Sequence, residues 1–220
     1  MHGTLKEHAK AEPVATRGTG IEKWFDGLRV VIIAGGSSVT LPDIHAIAQA
    51  RLRQESDLRV IAINDAIFPA FWADWVHACD ARWWEWHYHK LGDYRGIRTT
   101  LDEKVPEGWA MRLKNTGQTG FDEDPANCRT GSNGAYQAMH SAIHAGVREI
   151  CLVGVDMDLE GHWHPPREGV RHCDRPNVML PKFESLAPAL AERGIGVVNA
   201  SQRSLLEVWP KASLESFLQG

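Results

Sequence analysis

The sequence contains no CxxC pair, no apolar run near the roughly 20 residues that cross a bilayer, no internal repeat and no excess of positive charge. Each absence excludes a class. The four cysteines, Cys79, Cys128, Cys151 and Cys173, stand far apart in a chain of 220 residues. A chain of that length has no need of a disulfide framework, and the spacing offers no paired thiolates to a redox or zinc motif. A reducing compartment fits this usage, so a cytoplasmic protein is expected. The opening MHGTLKEHAKAEPVATRGTG lacks the apolar stretch of a secretory leader, and neither export by that route nor a membrane span is expected. With 24 Lys and Arg against 28 Asp and Glu the net charge is -4. No broad field therefore attracts a nucleic-acid backbone, which leaves only a local basic patch open.

What is present is globular. Hydrophobic residues make up 43% and charged residues 24%, enough to bury a core in one domain with extensions. Residues 1–26 are polar and without period and read as a peripheral tail, and residues 27–220 as one domain. From Leu28 the run LRVVIIAGGSS is a strand buried on both faces, followed by a helix over Leu41 to Arg53 and a second buried strand, RVIAIN, at 59–64. WVHACD (75–80) is a short strand. Residues 91–129 carry no clear pattern. A small-residue helix over Ala135 to Ala145, the strand EICLVGVD (149–156), a helix over Phe183 to Glu192, the strand IGVVNA (195–200) and helical pieces from Ser204 to Phe217 complete the chain. Strands alternating with helices predict an α/β fold: a Rossmann-like, mostly parallel sheet with helices on both faces, binding ligands at the carboxyl ends of its strands.

The strand ends carry the candidate chemistry. Gly35, Gly36, Ser37 and Ser38 link a strand to a helix and suit either a phosphate cradle or a tight turn. Asn64 and Asp65 are placed to read a ribose or base, or to cap a helix. Ser132 and Asn133, with Arg129 just before them, form a second helix-opening loop with the same two readings. Trp83, Trp84 and Trp86, with His87, Tyr88 and His89, suit stacking on a sugar or base, a satellite core cluster or a subunit interface in a homo-oligomer. Asp80 ends the third strand and is a candidate substrate contact. Beyond Gly154 and Asp156 lies EGHWHPPREGVRHCD, where His162 or His164 suits a general base. There Arg167, Arg171 or Arg175 suits an offset to phosphate charge. His162, His164, His172 and Cys173 as a metal set is the competing reading, without a familiar ligand spacing.

VVIIAGGSS, AINDA, ACDARWWEWH, GSNGAYQAMHSAIHAGVREICLVGVDM, GHWH and GIGVVNAS in this order resemble a family of bacteriophage and prophage proteins with an expected Rossmann-like fold. The match covers roughly residues 28 to 210. Its chemical relatives look like the bacterial single-domain sialyltransferases and, more remotely, the archaeal pterin pyrophosphokinase group. The sialyltransferase resemblance implies a cytidine nucleotide held by Gly35, Gly36, Asn64, Ser132, Asn133, Gly154 and Asp156, and a histidine base at His162 or, with slight preference, His164. Two features depart from it: a glycine stands where those enzymes carry an Asn in the first loop, and no tyrosine follows Tyr136. The expected function is a nucleotide-sugar-dependent, inverting, metal-independent glycosyltransferase. Its donor is a co-substrate, no resident cofactor is required, and Asp156 binds donor hydroxyls or orients the base. The alternatives are a non-catalytic nucleotide-binding phage accessory or assembly protein and a Mg-dependent phosphoryl or pyrophosphoryl transferase using Asp65, Asp80 or Asp156.

Overall fold

A computed structural model describes residues 20–158, 161–162 and 176–220. The first nineteen residues of the expected tail, and His164, Arg167, Arg171, His172, Cys173 and Arg175, lie outside the described residues. The strands are β1 (Arg29–Ile33), β2 (Leu58–Ile63), β3 (Trp75–His77), β4 (Ile97–Thr100), β5 (Met111–Arg112), β6 (Lys114–Asn115), β7 (Asn127–Cys128), β8 (Glu149–Val153) and β9 (Gly196–Asn199). The helices are α1 (Leu41–Arg51), α2 (Ala81–His87), α3 (Gly134–His144), α4 (Pro176–Glu184), α5 (Ala187–Glu192) and α6 (Leu214–Gln219).

Seven strands form one sheet in the order β5-β4-β3-β2-β1-β8-β9, with every pairing parallel. The two-residue strands β6 and β7 pair separately. Such a sheet needs cover on both faces, and the period-2 alternation of its strands provides it. Val30, Ile32, Ile61 and Leu152 face α3 through Ala138, Met139 and Ala142. Val31, Ile33, Val60 and Val153 face α1, α2 and α6 through Ile47, Trp84 and Phe217. The expected α/β architecture with helices on both faces is therefore the observed one.

Local chemistry sets the helix ends that point at the site. Thr40 caps α1 in a reciprocal box with Asp43, the Thr40 N–H donating to Asp43 Oδ2 at 2.9 Å and the Asp43 N–H to Thr40 Oγ1 at 3.3 Å. Asn133 caps α3, its Oδ1 accepting the Ala135 N–H at 2.8 Å and the Tyr136 N–H at 3.4 Å.

Three expectations are corrected. The end of the polar tail is not peripheral: Ile21 and Phe25 are buried in the core, and the Phe25 N–H donates to the Ala145 carbonyl. The helix read over Phe183 to Glu192 is two helices, because Pro188, in the first turn of α5, has no N–H to donate to the Glu184 carbonyl where α4 ends. Of the pieces read from Ser204 onward only α6 is helical, capped by the Ser213 hydroxyl on the Ser216 N–H.

Candidate active site

Strand order reverses at β1. The chain runs outward through β2, β3, β4 and β5 on one side and returns to β8 and β9 on the other, which opens a crevice at the carboxyl ends of the central strands. Gly35 and Gly36 after β1, Asn64 and Asp65 after β2, and Asp80 and Trp83 after β3 line it. Asn133 at the start of α3, Gly154 and Asp156 after β8, and His162 complete it. Three sequence candidates sit elsewhere. Ser37 turns outward, accepting from the Arg203 guanidinium at 2.6 Å. Ser132 accepts from the Lys182 ammonium at 2.7 Å. Arg129 is drawn to Asp122, 3.6 Å from its Nε, where the Thr116 hydroxyl leads the bonds that hold the carboxyl at about 2 against burial.

The loop after β1 does not present a ring of open amides. The Gly36 N–H donates to the Gly154 carbonyl at 2.8 Å and the Ser38 N–H to Asp156 Oδ2 at 2.8 Å, so two of the expected cradle donors are used within the protein. The glycines have another cause. A Cβ on Gly35 would stand 2.5 Å from His162 Nδ1, and one on Gly36 would stand 2.5 Å from both Asp156 Oδ2 and the Gly154 carbonyl. Gly36→Ala is therefore expected to cost about 2–4 kcal/mol, since a strand end must shift. Gly35→Ala meets only a side-chain ring and should cost less. Urea denaturation of the two variants checks the order; equal costs would refute this account.

His162 bridges to Gly36 as an isolated antiparallel pair, and its Nδ1 lies 3.0 Å from the Gly35 carbonyl oxygen. A carbonyl only accepts, so Nδ1 carries a proton, and in the neutral form of the ring Nε2 is the basic nitrogen. Asp156, expected to bind donor hydroxyls or to orient the histidine, accepts from the hydroxyl and N–H of Ser38, at 2.5 and 2.8 Å, one on each oxygen. Among the described contacts, the Gly35 carbonyl is the one that orients the His162 ring.

The remaining carboxylates differ in their surroundings. Asp65 Oδ1 accepts the Trp83 indole N–H at 2.8 Å, which fixes Trp83 as a buried member of the core as well as a wall of the cleft. Burial, and then the neighbouring Asp102, raise the Asp80 carboxyl above its ordinary value. Asp158 also lines the cleft and lies 3.6 Å from Arg203. Asn64 combines two uncommon features: a left-handed backbone, φ 51°, and a buried Oδ1 that no described group bonds. Met157, which also lines the cleft, shares that conformation at φ 57°. Strain of this kind concentrates at binding sites.

Sequence reasoning missed Met157, Asp158 and the buried wire beneath the cleft. Trp75 Nε1–H donates to Thr99 Oγ1 at 2.7 Å, and Thr99 Oγ1 lies 2.9 Å from His77 Nδ1. His77 Nε2 lies 2.7 Å from Gln137 Oε1, and Gln137 Nε2 donates to the Thr130 carbonyl at 3.0 Å. Since Gln137 Oε1 only accepts, His77 is the neutral Nε2–H tautomer, and burial pushes its pKa down to about 4. The wire ties the sheet to the loop that opens α3. A histidine and a glutamine at inward positions of a strand and a helix were its only sequence signal.

Among the described residues no helix is long and apolar enough to cross a membrane, and no group of three metal-ligating side chains gathers. No family model matches the chain and no curated protein matches it. Solved structures do. One is the sialyltransferase CstII from Campylobacter jejuni with cytidine-5'-monophosphate, at TM-score 0.49 and 13% identity over 86% of each chain. A CstII variant with CMP gives TM-score 0.50 and 15% identity over 83% of this chain and 84% of that one. CstII with a trisaccharide acceptor and CMP gives 0.48 and 15% over the same shares. At these identities the likeness is one of fold.

Proposed function

We propose that the chain is a nucleotide-sugar-dependent glycosyltransferase with His162 as its general base. One observation carries this reading: at the crevice where parallel α/β sheets bind ligands, an imidazole lines the cleft with its Nδ1 proton held by a backbone carbonyl, the tautomer whose basic nitrogen is Nε2. The CMP bound by the sialyltransferases of shared fold supports a nucleotide as the ligand. In the proposed step, Nε2 takes the proton of an acceptor hydroxyl and that oxygen bonds the anomeric carbon. The bond from that carbon to the nucleotide phosphate breaks, and its electron pair leaves with the phosphate. A single displacement inverts the anomeric centre. The amino end of α3, reaching the cleft at Gly134 and Ala135, offers its positive pole to the leaving phosphate.

Asn64 supplies the test of nucleotide binding. Its orphaned Oδ1 and left-handed backbone are costs that a ligand would offset. Asn64→Gly is accordingly expected to unfold about 1 kcal/mol later than the parent while its nucleotide affinity falls at least about tenfold. Thermal shift against CMP, UDP, GDP and ADP reads both effects. A parent protein that no nucleotide stabilises sinks the reading. Nucleotide binding without transfer from any sugar conjugate favours a non-catalytic binding protein, and strict dependence of turnover on Mg²⁺ favours phosphoryl transfer.

A further inference from the structure

The carboxylates of the cleft and the cations around it are unequally committed. Asp65 holds the Trp83 indole, Asp156 holds Ser38 and Asp158 faces Arg203. Asp80 heads α2 and accepts the Trp83 N–H at its backbone carbonyl, but its carboxylate caps none of the helix N–H groups, and no described residue donates to it. The adjacent Asp102 is taken by the Ala81 and Lys104 N–H groups, each at 2.9 Å. The described cations near the rim stand outside the cleft. Arg82 lies over the Trp86 ring at 5.9 Å, from where its charge offsets part of the rise that burial and Asp102 impose on Asp80, and Arg129 lies beside Asp122. Lys182 donates to Gln118 and Ser132, and Lys211 to the Ser201 and Ser204 carbonyls. Arg203 donates to Ser37. None of these side chains lines the cleft, whereas four aspartates do.

An open carboxylate accepts hydrogen bonds and cannot donate them, so sugar hydroxyls satisfy it and a second carboxylate repels it. We propose that the sugar this cleft takes is uncharged, with Asp80 accepting from two neighbouring hydroxyls, and that sugars bearing a carboxylate are rejected. This rests on the nucleotide-sugar reading above and departs from a sialic-acid donor, whose carboxylate would meet that of Asp80.

Isothermal titration of the full chain with matched pairs tests it: UDP-glucose against UDP-glucuronate, GDP-mannose against GDP-mannuronate, and CMP against CMP-sialate. On the nucleotide that binds, the neutral conjugate is expected to bind at least about tenfold tighter than the carboxylated one. For CMP, the sialate should weaken binding relative to CMP itself. Asp80→Asn, which keeps the shape and removes the charge, is expected to bring the two members of a pair within about threefold. A carboxylated conjugate that binds as tightly as its partner, or a preference that Asp80→Asn leaves intact, overturns the inference while nucleotide binding still stands. Absence of binding by UDP, GDP and CMP alike overturns the parent reading and this inference with it.

Discussion

Replacing His162 by Asn is expected to lower transfer by roughly 10²- to 10⁴-fold and to leave nucleotide affinity within about threefold of the parent. The amide nitrogen of Asn falls close to the position of Nδ1. The donation to the Gly35 carbonyl, 3.0 Å long in the parent, is therefore retained while the Nε2 lone pair is lost. Transfer is measured under saturating donor, so that a change in KM does not disguise a change in kcat. A variant that turns over at the parental rate would remove His162 from the chemistry. One that loses nucleotide binding and turnover in parallel would make it a wall of the cleft rather than a base.

Stability is expected to fall steeply between pH 6.5 and pH 4. Burial lowers the pKa of His77 from 6.5 to about 4 and that of His140 to about 3, and it lowers His144 as well. These rings are neutral in the fold and gain protons more readily once unfolded. Their stabilising share is fully present above about pH 6.5 and is lost as pH falls towards the folded values. At pH 5, His77 and His140 each forfeit roughly 2 kcal/mol, a large part of the roughly 5–15 kcal/mol that holds a typical domain together. Asp80 works in the opposite direction, because its raised pKa lets the folded chain accept a proton early. Urea midpoints at pH 7.5, 6 and 5 check the slope. His140→Gln should reduce it by about 1.4 kcal/mol per pH unit, and a flat profile for the parent would contradict the burial assigned to these rings.

The central sheet was legible because buried parallel strands are written as uninterrupted β-branched runs. VVII, RVIAI and EICLV became β1, β2 and β8, bounded within a few residues of their expected ends. The edge was not. Ile97–Thr100 and the two-residue strands lie in a stretch of turns and polar residues, where pairing with β3 decides the conformation and no periodicity announces it. The helix Ala81–His87 was hidden for the opposite reason: ARWWEWH is apolar on too many sides to show a stripe, since Trp83 and Trp84 are both buried. At the site, Gly35, Asn64, Asp80 and Asp156, read from strand ends, and His162, read from the loop beyond, line one cleft. Strand-end logic did not foresee which partners they would choose. That depends on contacts such as Ser38 with Asp156, 118 residues apart, which spacing cannot encode. The glycines illustrate this: a phosphate turn and close packing against a histidine demand the same residue.

The register of the central strand also bears on how the protein is made. Arg29 aligns with Glu149 and Ile33 with Val153, so β1 gains its second neighbour only after about 120 further residues have been synthesised. At ribosomal rates of about 5–20 residues per second, that interval is on the order of ten seconds. Throughout it, one flank of Val30–Ile33 offers unpaired backbone beside wholly apolar side chains. Nascent chains interrupted before Val153 therefore lack one wall of the cleft and carry an adhesive strand edge. Production of this protein should depend on chaperone capacity more than its folded surface would suggest, and fragments ending between β2 and β8 should accumulate as aggregates.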